Sequence, residues 1–310
     1  MKGILDPGNA RRSVNMTDNI PYALVTDLEG KELELTLSIC AQDGNSEMRL
    51  AAGRDDESPM DPMPCIVWIP GGGWRGSDKN LMVPEMQFLV EGGYVLASIY
   101  YRSSAQGHWP VQMEDVWSAI RFLRAHSEKY HIDPERIGVI GRSAGGQLAA
   151  MAAMNRPVKG EGAWSEYAQT VQAACDLFGP VDLPGMIREE RLRVQEPGYR
   201  WHNIEETHGA ALLGVPDQEL EAAGADATPA NFISDAMCPL LILHGDSDLL
   251  VPWSISQDFY QQIVDAGYGD RADFYLLKNA GHGTREFFQP EVKQLILDFF
   301  DRKLKGPAAP

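Results

Sequence analysis

Cysteine is scarce and scattered. The 310 residues hold four, Cys40, Cys65, Cys175 and Cys238, with no C-x-x-C pair and no metal-ligand spacing among them. Cys65, Cys175 and Cys238 lie in or beside apolar runs and read as buried free thiols; no metal site is expected. Basic residues are outnumbered, 27 Lys and Arg against 44 Asp and Glu, for a net charge of −17. That balance excludes a nucleic-acid binder or a protein drawn to an anionic membrane surface, both of which need a basic footprint. No apolar run reaches membrane-spanning length, and Met1 to Asp18 carries nothing of signal-peptide length, so the expected location is cytoplasmic. No phosphate-cradling G-x-x-x-x-G-K-[ST] is present, and no motif calls for a cofactor. Internal repeats and domain linkers are also missing.

What is present is a chain that is 44% hydrophobic, enough for a sizeable core. Residues 1–20 are polar and read as a loose or docking arm. Lys31 to Cys40 alternates, with Leu33, Leu35, Leu37 and Ile39 opposite Glu32, Glu34, Thr36 and Ser38, the pattern of a half-buried antiparallel strand. Residues 41–63 are acidic and rich in Pro and Gly, as in a surface loop. Apolar runs at 65–69, 94–100, 137–140, 173–178, 239–243 and 272–277 predict buried strands. Helical periodicity predicts helices over 83–90, 111–130, 254–266 and 290–304, and another from Gln147 onward. This alternation implies an α/β fold, a mostly parallel twisted sheet covered by helices on both faces. Residues 21–304 are expected to form one domain. Within it, 181–230 breaks the rhythm and reads as an irregular insertion and partial lid, and 305–310 as a frayed tail.

The chemistry centres on Gly141-Arg142-Ser143-Ala144-Gly145, a G-x-S-x-G between an apolar β-branched run and a run of strong helix formers. Strand, glycine-flanked serine and helix are the context of a nucleophile elbow. A serine hydroxyl needs a base, and the base an orienting acid. With the elbow the acid follows the serine and the histidine follows the acid. After Ser143, the run Leu241 to Pro252 gives a strand and then a loop with two acids. Asp248 is the better orienting acid; Asp246, closer to the strand, is expected to hold the turn, and His244 to be a core or supporting histidine. His282, flanked by Gly281 and Gly283 in a loop after the 272–277 strand, is the only histidine beyond Asp248. Gly71-Gly72-Gly73 can offer unobstructed backbone N–H groups for an oxyanion, and Ala144 adds one at the helix start.

These motifs, PGGGW (70–74), GRSAGG (141–146), HGDSDLLVP (244–252) and AGHG (280–283), resemble in their order the α/β-hydrolase superfamily. More narrowly the chain is similar to the esterase branch with an HGGGW loop, and within it to bacterial feruloyl/acetyl esterase-like (BD-FAE-like) proteins. Residues 93–102, 110–124, 131–138 and 178–183 share in the likeness, which covers roughly residues 20–304. The resemblance implies Ser143 as nucleophile, His282 as base, Asp248 as acid, and Gly72, Gly73 and Ala144 as oxyanion donors. Pro70 stands where the family usually has a histidine that braces the loop, so the bracing here must differ. Arg142 puts a cation near the nucleophile, and a salt bridge to a helix acid is expected for it.

The implied activity is carboxylic ester hydrolysis through an acyl-serine, on feruloyl, acetyl or other small acyl esters of plant carbohydrate. The implied partner is thus a small-molecule or oligosaccharide ester. An arylformamidase, amidase or peptidase of the same fold is the alternative enzyme reading. A non-catalytic binding protein on a hydrolase scaffold is the alternative outside enzymes. Candidate substrate contacts are Trp74 after the oxyanion loop, His108 and Trp109 in the SSAQGHWP loop, and Trp201 in the insertion.

Overall fold

The computed structural model describes residue 3 and residues 13–42, 61–76, 78–156 and 162–306. Most of the expected 41–63 loop and of the 305–310 tail lies outside these. Eight strands join one sheet in the order β1-β2-β4-β3-β5-β6-β7-β8. They are β1 (Val14–Thr26), β2 (Glu32–Gln42), β3 (Met63–Ile69), β4 (Val95–Ile99), β5 (Ile132–Arg142), β6 (Ala173–Leu177), β7 (Leu240–Gly245) and β8 (Ala272–Leu277). β1 and β2 are antiparallel to their neighbours, and all other pairs are parallel.

Strands with both faces covered need apolar residues at every position, and β3, β4, β6 and β7 are buried throughout. Alternation along β3 divides the interior into two cores. Cys65, Val67 and Ile69 face one, with helices α2 (Val111–Ala125) and α3 (Ala144–Ala153). Ile66 and Trp68 face the other, with α1 (Val83–Glu91) and the last α-helix, Pro290–Phe300. The four cysteines are buried free thiols. No helix of the described residues is long and apolar enough to cross a membrane.

The winding places the site. From β3 the chain steps to β4 on one side, then crosses back to β5 on the other. The carboxyl ends of β3 and β5 are therefore neighbours, with Ile69 opposite Gly141. This is the reversal point at which open parallel sheets leave a crevice.

Four expectations need correction. The arm at 1–20 contains the start of β1, which from Val14 pairs with β2. Its polar residues disguised it because they anchor an edge strand: Asp18 accepts from Ser38 Oγ at 2.6 Å and pairs with Lys79 at 2.9 Å. These contacts hold the Asp18 carboxyl well below its ordinary value. Helix α2 stops at Ala125 rather than 130, although His126 and Tyr130 still pack their rings against Phe122. β5 begins at Ile132 and runs to Arg142, well beyond the apolar run expected at 137–140.

The insertion is not irregular. It holds α4 (Leu183–Arg193), α5 (His208–Leu213) and α6 (Leu220–Gly224) joined by short 3-10 turns. Asp182 and Thr207 cap α4 and α5. A small core of Ile187, Ile204, Ala210, Leu213 and Leu220 packs them together. The helices are too short for their periodicity to stand out among so many Gly, Pro and Glu residues.

Leu37 is fully buried between the strands and α2. Leu37→Ala is expected to lower unfolding stability by about 2–5 kcal/mol in urea titrations, through the lost burial and the cavity left behind.

Candidate active site

Ser143 follows the last residue of β5 with φ 52° and ψ −123°, a backbone conformation that non-glycine residues rarely hold. Such strain costs about 1–3 kcal/mol and persists only where the surroundings enforce it. Here two close approaches do so. A Cβ on Gly141 would lie 2.0 Å from the Gly145 carbonyl oxygen, and one on Gly145 would lie 2.1 Å from that of Ile69. The Ser143 N–H donates to Leu177 O at 2.8 Å, and its carbonyl accepts from Gln147 N at 3.1 Å. The turn is thus pinned to β6 on one side and to the fully buried helix α3 on the other.

The loops after β7 and β8 bring the partners. Ser143 Oγ–H donates to His282 Nε2 at 2.8 Å, and His282 Nδ1–H donates to Asp248 Oδ2 at 2.7 Å. Asp248 Oδ1 accepts the N–H groups of Leu250 (2.8 Å) and Val251 (3.0 Å). Burial pushes the Asp248 carboxyl up, but hydrogen bonds from His244 and His282, the charge of His282 and the Val251 N–H together hold it well below the carboxylate range. It is therefore ionised, as a partner for an imidazole proton must be.

His244 is a supporting residue of definite geometry. It is fully buried, its Nε2–H donating to Val251 O (3.0 Å) while its Nδ1 accepts from Ser256 Oγ (2.8 Å). Nε2 also lies 3.3 Å from Asp248 Oδ2. Asp246 does hold the turn, but across to the neighbouring loop: it accepts Asn279 N at 2.7 Å and so ties the Asp248 loop to the His282 loop.

Gly73, Trp74, Ser143 and Ala144 line one cleft, walled by α4 and the start of α5. Trp74 is held by its Nε1–H to Gln147 Oε1 (3.2 Å). The loop that carries Pro70 in place of histidine is braced by Tyr101, whose O–H donates to Pro70 O at 2.8 Å. The ring of His208 presses on Gly73, where a Cβ would meet Nδ1 at 2.6 Å.

Three other expected contacts lie elsewhere. Trp109 packs into the core and donates from Nε1 to Asp226 (2.8 Å); His108 Nδ1 is 3.2 Å from Ala211 O. Both hold the helical insertion to the sheet and neither lines the cleft. Trp201 stands behind His208, edge-on at 5.4 Å, under the guanidinium groups of Arg75 and Arg200. Arg142 makes no ion pair among the described residues. Its buried Nε is unpartnered, and its side chain lies against Gly71 and Gly283.

Sequence reasoning missed Phe178 and Glu190. Phe178 sets its ring edge against His282 at 4.8 Å. Glu190 lines the cleft 7% exposed. The Phe178-Gly179-Pro180 stop after β6 was a signal for the first; nothing in the acidic run at 189–190 marked the second.

The sheet order, the elbow at the crevice and the loops after β7 and β8 define an α/β-hydrolase fold. Residues 55–263 match the BD-FAE family, and the chain belongs to it. It is 30% identical over 287 residues to Esterase LipQ of Mycobacterium tuberculosis (strain ATCC 25618 / H37Rv), covering 89% of this chain and 59% of that protein. It is 32% identical over 212 residues to the probable carboxylic ester hydrolase LipM of the same strain, covering 64% of this chain and 44% of that protein. The chain thus spans only about half the length of these relatives. Among solved structures, a truncated form of a carbohydrate esterase from gut microbiota superposes with a TM-score of 0.74 at 26% identity, covering 95% of this chain and 97% of that one.

Beneath the elbow, Asp176 is fully buried, its Oδ1 accepting Gly179 N at 2.8 Å and its Oδ2 unpartnered. Burial raises it from 3.8 to about 7. Between those values the unfolded chain has lost a proton that the native state keeps, so native stability falls as pH rises and the loss is complete above about 7. Asp176→Asn removes this dependence. Urea titrations at pH 5 and pH 8 should show the variant gaining on the wild type at the higher pH.

Proposed function

We propose that the chain is a serine carboxylic ester hydrolase that works through an acyl-enzyme on feruloyl, acetyl or other small acyl esters of plant carbohydrate. The observation that carries this reading is the continuous hydrogen-bonded chain from Asp248 through His282 to Ser143, ending at a cleft edged by Gly73 and Ala144. The names of the relatives as esterases, and of the structural neighbour as a carbohydrate esterase, support the ester and the carbohydrate respectively.

In the proposed reaction Ser143 Oγ attacks the ester carbonyl carbon as its proton passes to His282 Nε2. The carbonyl π pair moves onto oxygen, and the N–H groups of Gly72, Gly73 and Ala144 receive that charge. A donor aimed at the developing oxyanion is worth roughly 10²–10³ in rate. Asp248, ionised and fixed by two backbone N–H groups, stabilises the imidazolium. Collapse of the tetrahedral adduct breaks the bond to the alcohol oxygen, which leaves with the His282 proton. Water, deprotonated by His282, then attacks the acyl-serine, and the acid departs as Ser143 regains its hydrogen. Residues 14–304 act as one hydrolase domain in this reading, with the 181–230 segment as the wall of the substrate cleft.

Ser143→Ala is expected to lower kcat on p-nitrophenyl acetate and methyl ferulate by at least about 10⁴-fold and to abolish covalent labelling by a fluorophosphonate. Labelling that persists in the variant would place the nucleophile elsewhere.

A further inference from the structure

Gly71-Gly72-Gly73 give the loop after β3 no side chains of its own to hold it, and Gly73 sits in the left-handed region with φ 60°. The two ends of the loop are fastened to the segment that follows β4. Tyr101 O–H donates to Pro70 O at 2.8 Å, and the Trp74 carbonyl accepts from Ser104 N at 2.6 Å. Between these ends the ring of His208 covers Gly73. A Cβ there would lie 2.6 Å from Nδ1, 2.7 Å from Cε1 and 2.9 Å from Cγ, so the ring occupies the place a side chain would take.

His208 is itself held from the same loop. It opens α5 directly after the capping residue Thr207. Arg75, the residue after Trp74, donates from Nη2 to the carbonyls of Glu206 and Thr207, the latter at 3.0 Å. Trp201 backs the His208 ring edge-on, with the Arg75 and Arg200 guanidinium groups each 5.1 Å from the indole centre. Two ties therefore join the same two segments: Arg75 reaches from the glycine loop to the insertion, and His208 reaches back. Nδ1 of His208 is buried without a partner, and burial with the charges of Arg200 and Arg75 lowers the ring to about 4. Near pH 7 the ring is neutral and meets Gly73 as a packing surface. Oxyanion donors act only when held roughly 2.7–3.1 Å from the developing charge, so a loop free to shift loses their effect.

We propose that His208 is a positioning residue: by packing on Gly73 it fixes the direction of the glycine-loop N–H groups, so that the insertion sets the oxyanion site as well as the cleft wall. The assignment rests on the ester-hydrolase reading above. Because those donors serve every ester alike, the effect of His208 belongs to the chemical step and not to the binding of one acyl group.

The test measures kcat and KM on p-nitrophenyl acetate and methyl ferulate for the wild type, His208→Ala and His208→Phe. Rates are referred to the end-point titre of fluorophosphonate-labelled serine, so loss of folded protein cancels. His208→Ala should lower kcat by about 10- to 100-fold on both esters, the scale of a small misplacement at a reacting centre. KM should stay nearly unchanged, since an interaction made only in the transition state moves kcat and kcat/KM together. His208→Phe keeps a flat ring over Gly73 without the nitrogens and should recover most of the loss. A loss carried by KM, or confined to one ester, overturns the proposal by making His208 a substrate contact. An equal loss in His208→Phe overturns it by making a ring nitrogen the active feature. Unchanged kcat in His208→Ala overturns this assignment alone. No turnover of either ester by the wild type, with no labelling, overturns the ester-hydrolase reading and this assignment with it.

Discussion

The contact between the end of β3 and the start of α3 leaves no space for a side chain. Gly145 faces the Ile69 carbonyl and Gly141 faces Gly145, each where a Cβ would collide with backbone. Because the strand and helix approach so closely, Ser143 is forced into its left-handed conformation and its side chain is turned toward the crevice. The same closeness brings the glycine loop after β3 beside the serine. Ser143 and the glycine loop proposed to hold the oxyanion are thus placed by one packing constraint, set where the winding of the sheet reverses.

Two buried carboxylates near this contact show how little burial alone decides. Burial pushes both Asp248 and Asp176 upward. Asp248 meets two backbone N–H groups and two imidazoles and is held ionised. Asp176 meets one N–H, its second oxygen unpartnered, and rises to about 7. Donor count, together with depth, separates the acid held ionised beside His282 from a group that keeps its proton over much of the same range. The supporting ring of His244 matters for this reason. By donating to Val251 O and approaching Asp248, it helps organise the loop on which the charge depends.

The helical insertion plays a second part. It reaches the sheet through Trp109 and His108, residues that looked from the sequence like substrate contacts and proved to be fasteners. Its inner surface supplies Glu190 and His208 to the cleft, and His208 in turn presses on Gly73 of the glycine loop after β3. Cleft wall and glycine loop are therefore in direct contact, and Tyr101 holds the loop at Pro70.

The sequence by itself determined the α/β alternation, the elbow and that Ser143, Asp248 and His282 would be brought together, as the hydrogen-bonded chain among them shows. Each of these rests on local pattern: apolar runs long enough to be buried strands, glycines where no Cβ fits, and polar residues just past strand ends. It missed β1, whose polar residues find partners 20 to 62 positions away. It also missed the order within 181–230, where the helices are stabilised by one another rather than by their own periodicity. Only the tertiary structure decided that Asp246 bridges two loops, that Arg142 lacks the expected ion pair, and that Glu190 rather than Trp109 faces the cleft. The reason is the same in each case. Which atoms a side chain meets across the fold depends on how distant segments pack, and no spacing along the chain encodes that.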